Sequence, residues 1–185
     1  MIMEHSILIA GSGGQGIMLI GKLLSYAAIE AGKEATFYPA YGAEMRGGTA
    51  NCTVVISDEE ISSPILERFT TIIALNEPSY IKFHSQVIDG GNILINSSLI
   101  ASISEELGKK ASVYAVPVNN IALELGSEKI SNIVLIGAYI GITGIIDPEV
   151  FRNTIRKMLY KDEELMNLNL IAFDKGLAAG QDFRL

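Results

Sequence analysis

The densest chemical signal in the chain is Gly11-Ser12-Gly13-Gly14-Gln15-Gly16, which directly follows the apolar run Ile7-Leu8-Ile9-Ala10. The six residues satisfy the G-x-G-x-x-G pattern between a strand and a helix, the context that gives the pattern its meaning. In such a loop the first glycine permits a tight turn, the second lets the backbone approach a phosphate, and the third allows close packing of helix on strand. The amides that open the helix lack intrahelical acceptors and attract an anion. The same glycines could equally do no more than shape the turn and pack against a neighbouring subunit, because a loop shape is not itself a function.

A second concentration is Tyr41-Gly42-Ala43-Glu44-Met45-Arg46-Gly47-Gly48-Thr49-Ala50-Asn51, which sets one acid, one base and three glycines in a short loop after the second apolar strand. A loop there faces the glycine loop across the carboxyl edge of a parallel sheet, where open α/β folds bind ligands. The Arg46 guanidinium can brace Glu44 or hold a phosphate or carboxylate with two hydrogen bonds. Gly47 and Gly48 supply left-handed backbone or allow another chain to come close. A dinucleotide would need an acid at the end of the second strand to hold its ribose, about 20 residues beyond the glycine loop. That strand ends in Phe37-Tyr38-Pro39, and Glu34 precedes its apolar stretch, so NAD is disfavoured. No Gly-Lys-Ser/Thr follows the loop, which rules against a Walker-type hydrolase.

Cys52 is the sole cysteine, so the chain forms no internal disulfide and supplies too few thiolates for an iron–sulfur cluster. Its place on an apolar strand predicts a buried, inert thiol. His5 and His84 stand in unrelated contexts without ligand-like spacing, and no metal site is expected. Ser97-Ser98 and Asn119-Asn120 follow strands and are expected to serve as turns or helix caps. Lys161-Asp162-Glu163-Glu164 is expected to be a solvated helix start.

The elements that must position these residues alternate. Ser6–Ala10, Ala35–Tyr38, Ala50–Ile56, Thr71–Leu75, Gly91–Ile95 and Val113–Val116 read as short strands of a sheet covered on both faces. Gly16–Ala31 has helical spacing at Ile17, Ile20, Leu24, Ala27 and Ala28, with Gly32 as its C-terminal cap. Strand, glycine turn, helix and strand make a βαβ unit. The expected fold is therefore α/β, a Rossmann-like doubly wound and mostly parallel sheet in three layers. Its C-terminal part is helical: Val118–Leu125, Ile130–Ile140, a helix opened by Asp147-Pro148, and a last one from Asp162 to about Ala179, with Gly126 breaking the first two apart.

The two glycine-rich loops, together with Asn132-Ile133-Val134-Leu135-Ile136-Gly137-Ala138, resemble the gamma subunit, or the equivalent domain of fused enzymes, of the pyruvate and 2-ketoacid ferredoxin oxidoreductases. The resemblance runs from the first strand into the helical part. At Thr49-Ala50-Asn51-Cys52 it is most like the branch acting on 2-oxoglutarate or branched-chain 2-oxoacids. It implies a subunit of an enzyme that oxidatively decarboxylates a 2-oxoacid with coenzyme A and passes electrons to ferredoxin, not competent alone and without catalytic residues of its own. It also implies partners, alpha, beta and possibly delta chains, that hold thiamine diphosphate, magnesium and iron–sulfur clusters. Coenzyme A is then the co-substrate, and Gly11–Gly16, Tyr41, Gly42, Glu44, Arg46, Gly47, Gly48 and Asn51 are the residues expected to help dock it.

Composition agrees with one domain over residues 1–185: 49% of the residues are hydrophobic, ample for one core. A formal charge of -7 argues against nucleic acid as a partner. No apolar run approaches the roughly 20 residues a bilayer span requires, and Met1–His5 lacks a basic signal-peptide start. A cytoplasmic location is expected. A mean hydropathy of +0.33 suits a chain that hides apolar area in an interface, and self-association into a homodimer is expected when the chain is isolated.

Overall fold

The computed structural model describes residues 4–40 and 49–182. All six apolar runs become strands: β1 (Glu4–Ser12), β2 (Glu34–Ala40), β3 (Thr49–Ser57), β4 (Phe69–Ala74), β5 (Val87–Asn96) and β6 (Ser112–Val116). They form one sheet in the order β2-β3-β1-β4-β5-β6. Neighbours from β1 through β6 pair in parallel, whereas β3 is antiparallel to both β1 and β2.

The helices are α1 (Ile17–Glu30), α2 (Glu77–Phe83), α3 (Glu105–Lys110), α4 (Val118–Glu124), α5 (Ser131–Thr143), α6 (Pro148–Met158) and α7 (Glu163–Asp182). Their ends follow the capping signals. After α1, Gly32 takes φ +77° and Lys33 N donates to Ala28 O at 3.0 Å, the glycine-terminated closure expected there. Gly126 does the same after α4, at φ +89°. Asp147 Oδ1 accepts from Glu149 N at 2.7 Å with Pro148 in the first turn of α6. The short helices α2 and α3, absent from the sequence reading, cover the second face of the sheet.

The βαβ unit of β1, α1 and β2 needs a correction. β2 does not lie beside β1, because β3 inserts between them with a nine-residue register from Glu4↔Ser57 to Ser12↔Thr49. The reason is burial. β3 is buried on both faces at Cys52, Thr53, Val54, Val55 and Ile56, whereas β2 is half-exposed and contains Pro39, which lacks the N–H an interior strand requires. β2 therefore takes the edge.

Ile7, Ile9, Cys52, Val54, Ile73 and Leu94 point to a layer of α1, α4, α5, α6 and α7. Leu8, Ala10, Ile72, Ala74, Ile93 and Ile95 point to α2 and α3. Each fully buried Ile or Leu contributes roughly 1.5–3 kcal/mol, so both faces are needed to hold the sheet. Helix α5 is buried from Asn132 to Ile140 and lies directly against α7. Phe151 of α6 stacks on Phe173 of α7 at 4.9 Å, and Arg152 bonds Asp174 at 2.8 Å beside that stack. Asn167 and Asn169 leave α7 unbroken, because packing outweighs their weak helix preference.

His5 on β1 sits near the Lys33–Asp58 ion pair, which closes at 2.5 Å. Burial, and then the Lys33 charge, lower its pKa against an opposing pull from Asp58. The folded chain thus binds protons less readily than the unfolded chain, whose histidine titrates near 6.5. This contribution is complete above pH 6.5 and is lost as pH falls toward the lower folded value. His5→Asn should therefore flatten the decline in stability between pH 7 and pH 5, read from urea midpoints; an unchanged slope would contradict the assignment.

Candidate functional site at the carboxyl edge of the sheet

The ends of β1, β2, β4, β5 and β6 and the start of the reversed strand β3 meet at one edge. There the chain leaves β1 through the glycine loop. Gln15 folds back under it: Gln15 Oε1 accepts from Ser12 N at 2.7 Å, and Gln15 N donates to Ser12 O at 3.2 Å. A Cβ at Gly11 would lie 2.6 Å from Ile17 Cδ1 and 2.7 Å from Gln15 Oε1, so only glycine fits. Gly13 and Gly14 stand exposed. Gly16 holds the N-cap position of α1 at φ +74°, with no capping side chain and no acid in the first turn. Exposed glycines in front of an uncapped 14-residue helix are suited to an anion.

A second asparagine layer fixes this loop. Asn76, directly after β4 and Leu75, donates from Nδ2 to Ser12 Oγ at 2.6 Å and to Gln15 Oε1 at 3.0 Å. Its Oδ1 caps α2 by accepting from Ser79 N at 3.0 Å. Asn96, at the end of β5, donates to Leu75 O at 3.3 Å and to Asn119 Oδ1 at 2.9 Å. On the opposite side, Gly16 abuts the Asn132 side chain at the start of α5, where a Cβ would collide with Nδ2. The Asn132 position in the family-like element of the sequence thereby acquires a physical role. Asn76, Asn96 and Asn132 were not singled out individually from sequence; the available signal was an asparagine directly after a strand or opening a helix. Asn119 and Asn120, expected as a turn, lie in the first turn of α4.

The second loop can be located only by its stems. Tyr41, Gly42, Glu44, Arg46, Gly47 and Gly48 lie outside the described residues. Ala40 pairs with Asn51, and Thr49 pairs with Ser12, so both stems stand at the carboxyl edge with the glycine loop. Lys82 Nζ of α2 donates to Thr49 Oγ1 at 3.2 Å and brings a positive charge to that rim. Asn51 is half-buried on the α2 face and lines a hollow of about 170 Å³ with Tyr38, Ala40 and Thr53. Among the described residues no three His, Cys, Asp or Glu side chains converge as a metal site. The described rim presents amides, hydroxyls and a lysine, suited to holding an anion and not to moving a proton.

Cys52 lies beneath the site, fully buried, with Sγ 3.7 Å from Ile17 O and its thiol pushed up to about 12 by burial. In the folded chain iodoacetamide at pH 8 should label it at least ~100-fold more slowly than in urea, because the thiolate is the nucleophile and the site must open first. Comparable rates measured by mass spectrometry would contradict this burial.

The family description pyruvate ferredoxin/flavodoxin oxidoreductase matches residues 6–179. The chain belongs to that family. Within the pyruvate ferredoxin/flavodoxin oxidoreductase family, it is 39% identical over 175 residues to the ketoisovalerate oxidoreductase subunit VorA of Methanothermobacter thermautotrophicus, covering 94% of this chain and 36% of that relative. It is 33% identical to the 2-oxoglutarate synthase subunit KorC of Methanocaldococcus jannaschii, over 97% of this chain and 96% of KorC. The chain thus spans about a third of VorA and nearly all of KorC. Among solved structures, the gamma subunit of a keto/oxoacid ferredoxin oxidoreductase from Geobacter sulfurreducens matches with a TM-score of 0.83 at 28% identity, over 96% of this chain and 99% of that one. The 2-oxoglutarate:ferredoxin oxidoreductase of Magnetococcus marinus, with 2-oxoglutarate, coenzyme A and succinyl-CoA bound, matches with a TM-score of 0.88 at 26% identity, over 97% of this chain and 31% of the other. The α/β fold read from the sequence is the fold of these family members.

Proposed function

We propose that this chain is the gamma subunit of a 2-oxoacid:ferredoxin oxidoreductase, acting as a single unit over its 185 residues. The observation that carries this reading is the end-to-end match to KorC and to the Geobacter gamma subunit, each covered by more than nine-tenths. The reaction joins a 2-oxoacid and coenzyme A, releases carbon dioxide, forms the acyl-CoA thioester and passes two electrons to ferredoxin. Partner chains carry the thiamine diphosphate, magnesium and clusters that supply the decarboxylation and redox chemistry. Ketoisovalerate and 2-oxoglutarate are the favoured substrates, since VorA and KorC head the resemblance.

This chain's own contribution is to bind coenzyme A. The amides of Gly13, Gly14 and the first turn of α1 hold a phosphate of coenzyme A, while Gln15 and Asn76 keep the loop in shape from behind. Arg46 adds a second charge to the phosphate from the loop whose stems flank this site. Coenzyme A bound in the Magnetococcus relative supports a docking role for a gamma-type unit. A purely structural role for both loops is the competing reading. Arg46→Ala in the assembled enzyme separates the two: a docking role raises the apparent KM for coenzyme A by roughly tenfold or more, the loss of one charge-assisted contact, with subunit stoichiometry intact. Loss of assembly with an unchanged KM in the surviving complex would favour the structural role and defeat the docking one.

A further inference from the structure

Two hollows on the outer side of α1, of about 360 Å³ and 450 Å³, share Met158 and so form one continuous groove. The first lies between Leu19, the start of α5 and the link from α6 to α7; the second lies between α1 and β2 at Phe37. Large side chains stand open along it: Tyr160 is 66% exposed, Ile29 56% and Tyr26 55%. Contiguous exposed apolar surface of this kind marks an interaction site, and Tyr and Met are favoured anchors in interface centres. Charge points the same way. Lys22, Lys129 and Lys161 line the groove, and none has an ion-pair partner among the described residues. The acids at the start of α7, Asp162 to Glu164, fall outside the lining. On a chain of net charge -7 this is a local inversion of sign. Asn169, only 7% exposed, also lines the groove and makes no side-chain hydrogen bond among the described residues, leaving its amide for an incoming backbone.

The relatives indicate what covers such a groove. This chain matches only 36% of VorA and 31% of the Magnetococcus chain, so in both the equivalent unit is continuous with about twice as much further polypeptide. A covalent link keeps two parts together at millimolar effective concentration; a separate chain must replace that link with contacts. We propose that this groove docks an apolar segment flanked by acidic residues, contributed by the companion chain that takes the place of that further polypeptide. The proposal rests on the gamma-subunit reading above.

The test uses the full chain co-expressed anaerobically with the companion subunits of the oxidoreductase, Tyr160 being replaced by the photo-crosslinker p-benzoylphenylalanine. The expected adduct joins position 160 to an apolar, acid-flanked stretch of the companion chain. Lys129→Glu/Lys161→Glu should weaken assembly at least ~tenfold at low salt, and less in high salt, where charges are screened. An unchanged thermal midpoint for the isolated double variant shows that it folds. A complex that forms while position 160 links only to another copy of this chain, or to nothing, overturns the proposal, as does a charge-reversed chain that assembles as tightly as the original. Failure of the unaltered chain to assemble with any companion defeats the gamma-subunit reading and this proposal together.

Discussion

Gly176→Val is expected to lower the thermal midpoint by about 10 °C. Helices α5 and α7 cross on glycines spaced four apart on both sides, Gly137 and Gly141 against Gly176 and Gly180. A Cβ at Gly176 would enter the Val134 carbonyl, and one at Gly180 the Ala138 carbonyl; in return, Gly137 faces the Phe173 carbonyl and Gly141 the Leu177 carbonyl. The obstacle in each case is backbone, which cannot swing aside as a side chain does. Overpacking a close-packed interior costs typically 1–3 kcal/mol, and a helix-to-helix backbone collision lies at or above the top of that range, so about 3 kcal/mol is expected. At roughly 2–4 °C per kcal/mol for a chain of this size, the shift follows. Gly108→Ala is the control: Gly108 lies in α3 with nothing within 4 Å of its Cβ position, so alanine should stabilise by up to ~1 kcal/mol through helix propensity. Calorimetry showing the two substitutions alike would refute the glycine-packed crossing.

Gly16→Ala should be the most damaging change at the glycine loop, costing about 2–4 kcal/mol. Two causes add. A left-handed φ of +74° costs a non-glycine residue about 1–2 kcal/mol, and the new methyl meets Asn132 Nδ2. A double-mutant cycle separates them: in an Asn132→Ala background the collision is gone, so Gly16→Ala should there cost only the backbone part. Equal costs in both backgrounds would mean that α5 does not restrain the loop. In the assembled enzyme, a loop so displaced should also bind coenzyme A less well.

These two predictions divide along the line between local and long-range information. The turn role of Gly16 was legible, because a glycine pattern between a strand and a helix fixes a local geometry. Its docking on Asn132 was not, although both residues belong to the elements that carry the family resemblance; nothing in either segment says that it touches the other. The glycines of α5 and α7 read from sequence as mild weakening of two helices, and only the crossing turns them into its basis. The second loop remains a sequence assignment, with its described stems at the edge where the ligand was expected.

The sequence by itself determined what neighbouring residues decide among themselves. It set the six apolar strands, the glycine turn into α1, the caps at Gly32, Gly126 and Asp147-Pro148, and the apolar run that buries α5. The tertiary structure alone decided that β3 lies between β1 and β2, that Asn76 latches Ser12 from 64 residues away, and that α5 meets α7 on bare backbone. The physical reason is that backbone preference and capping act over a few residues, whereas strand order and side-chain bridges are settled by which distant surfaces bury the most apolar area with no polar group left stranded.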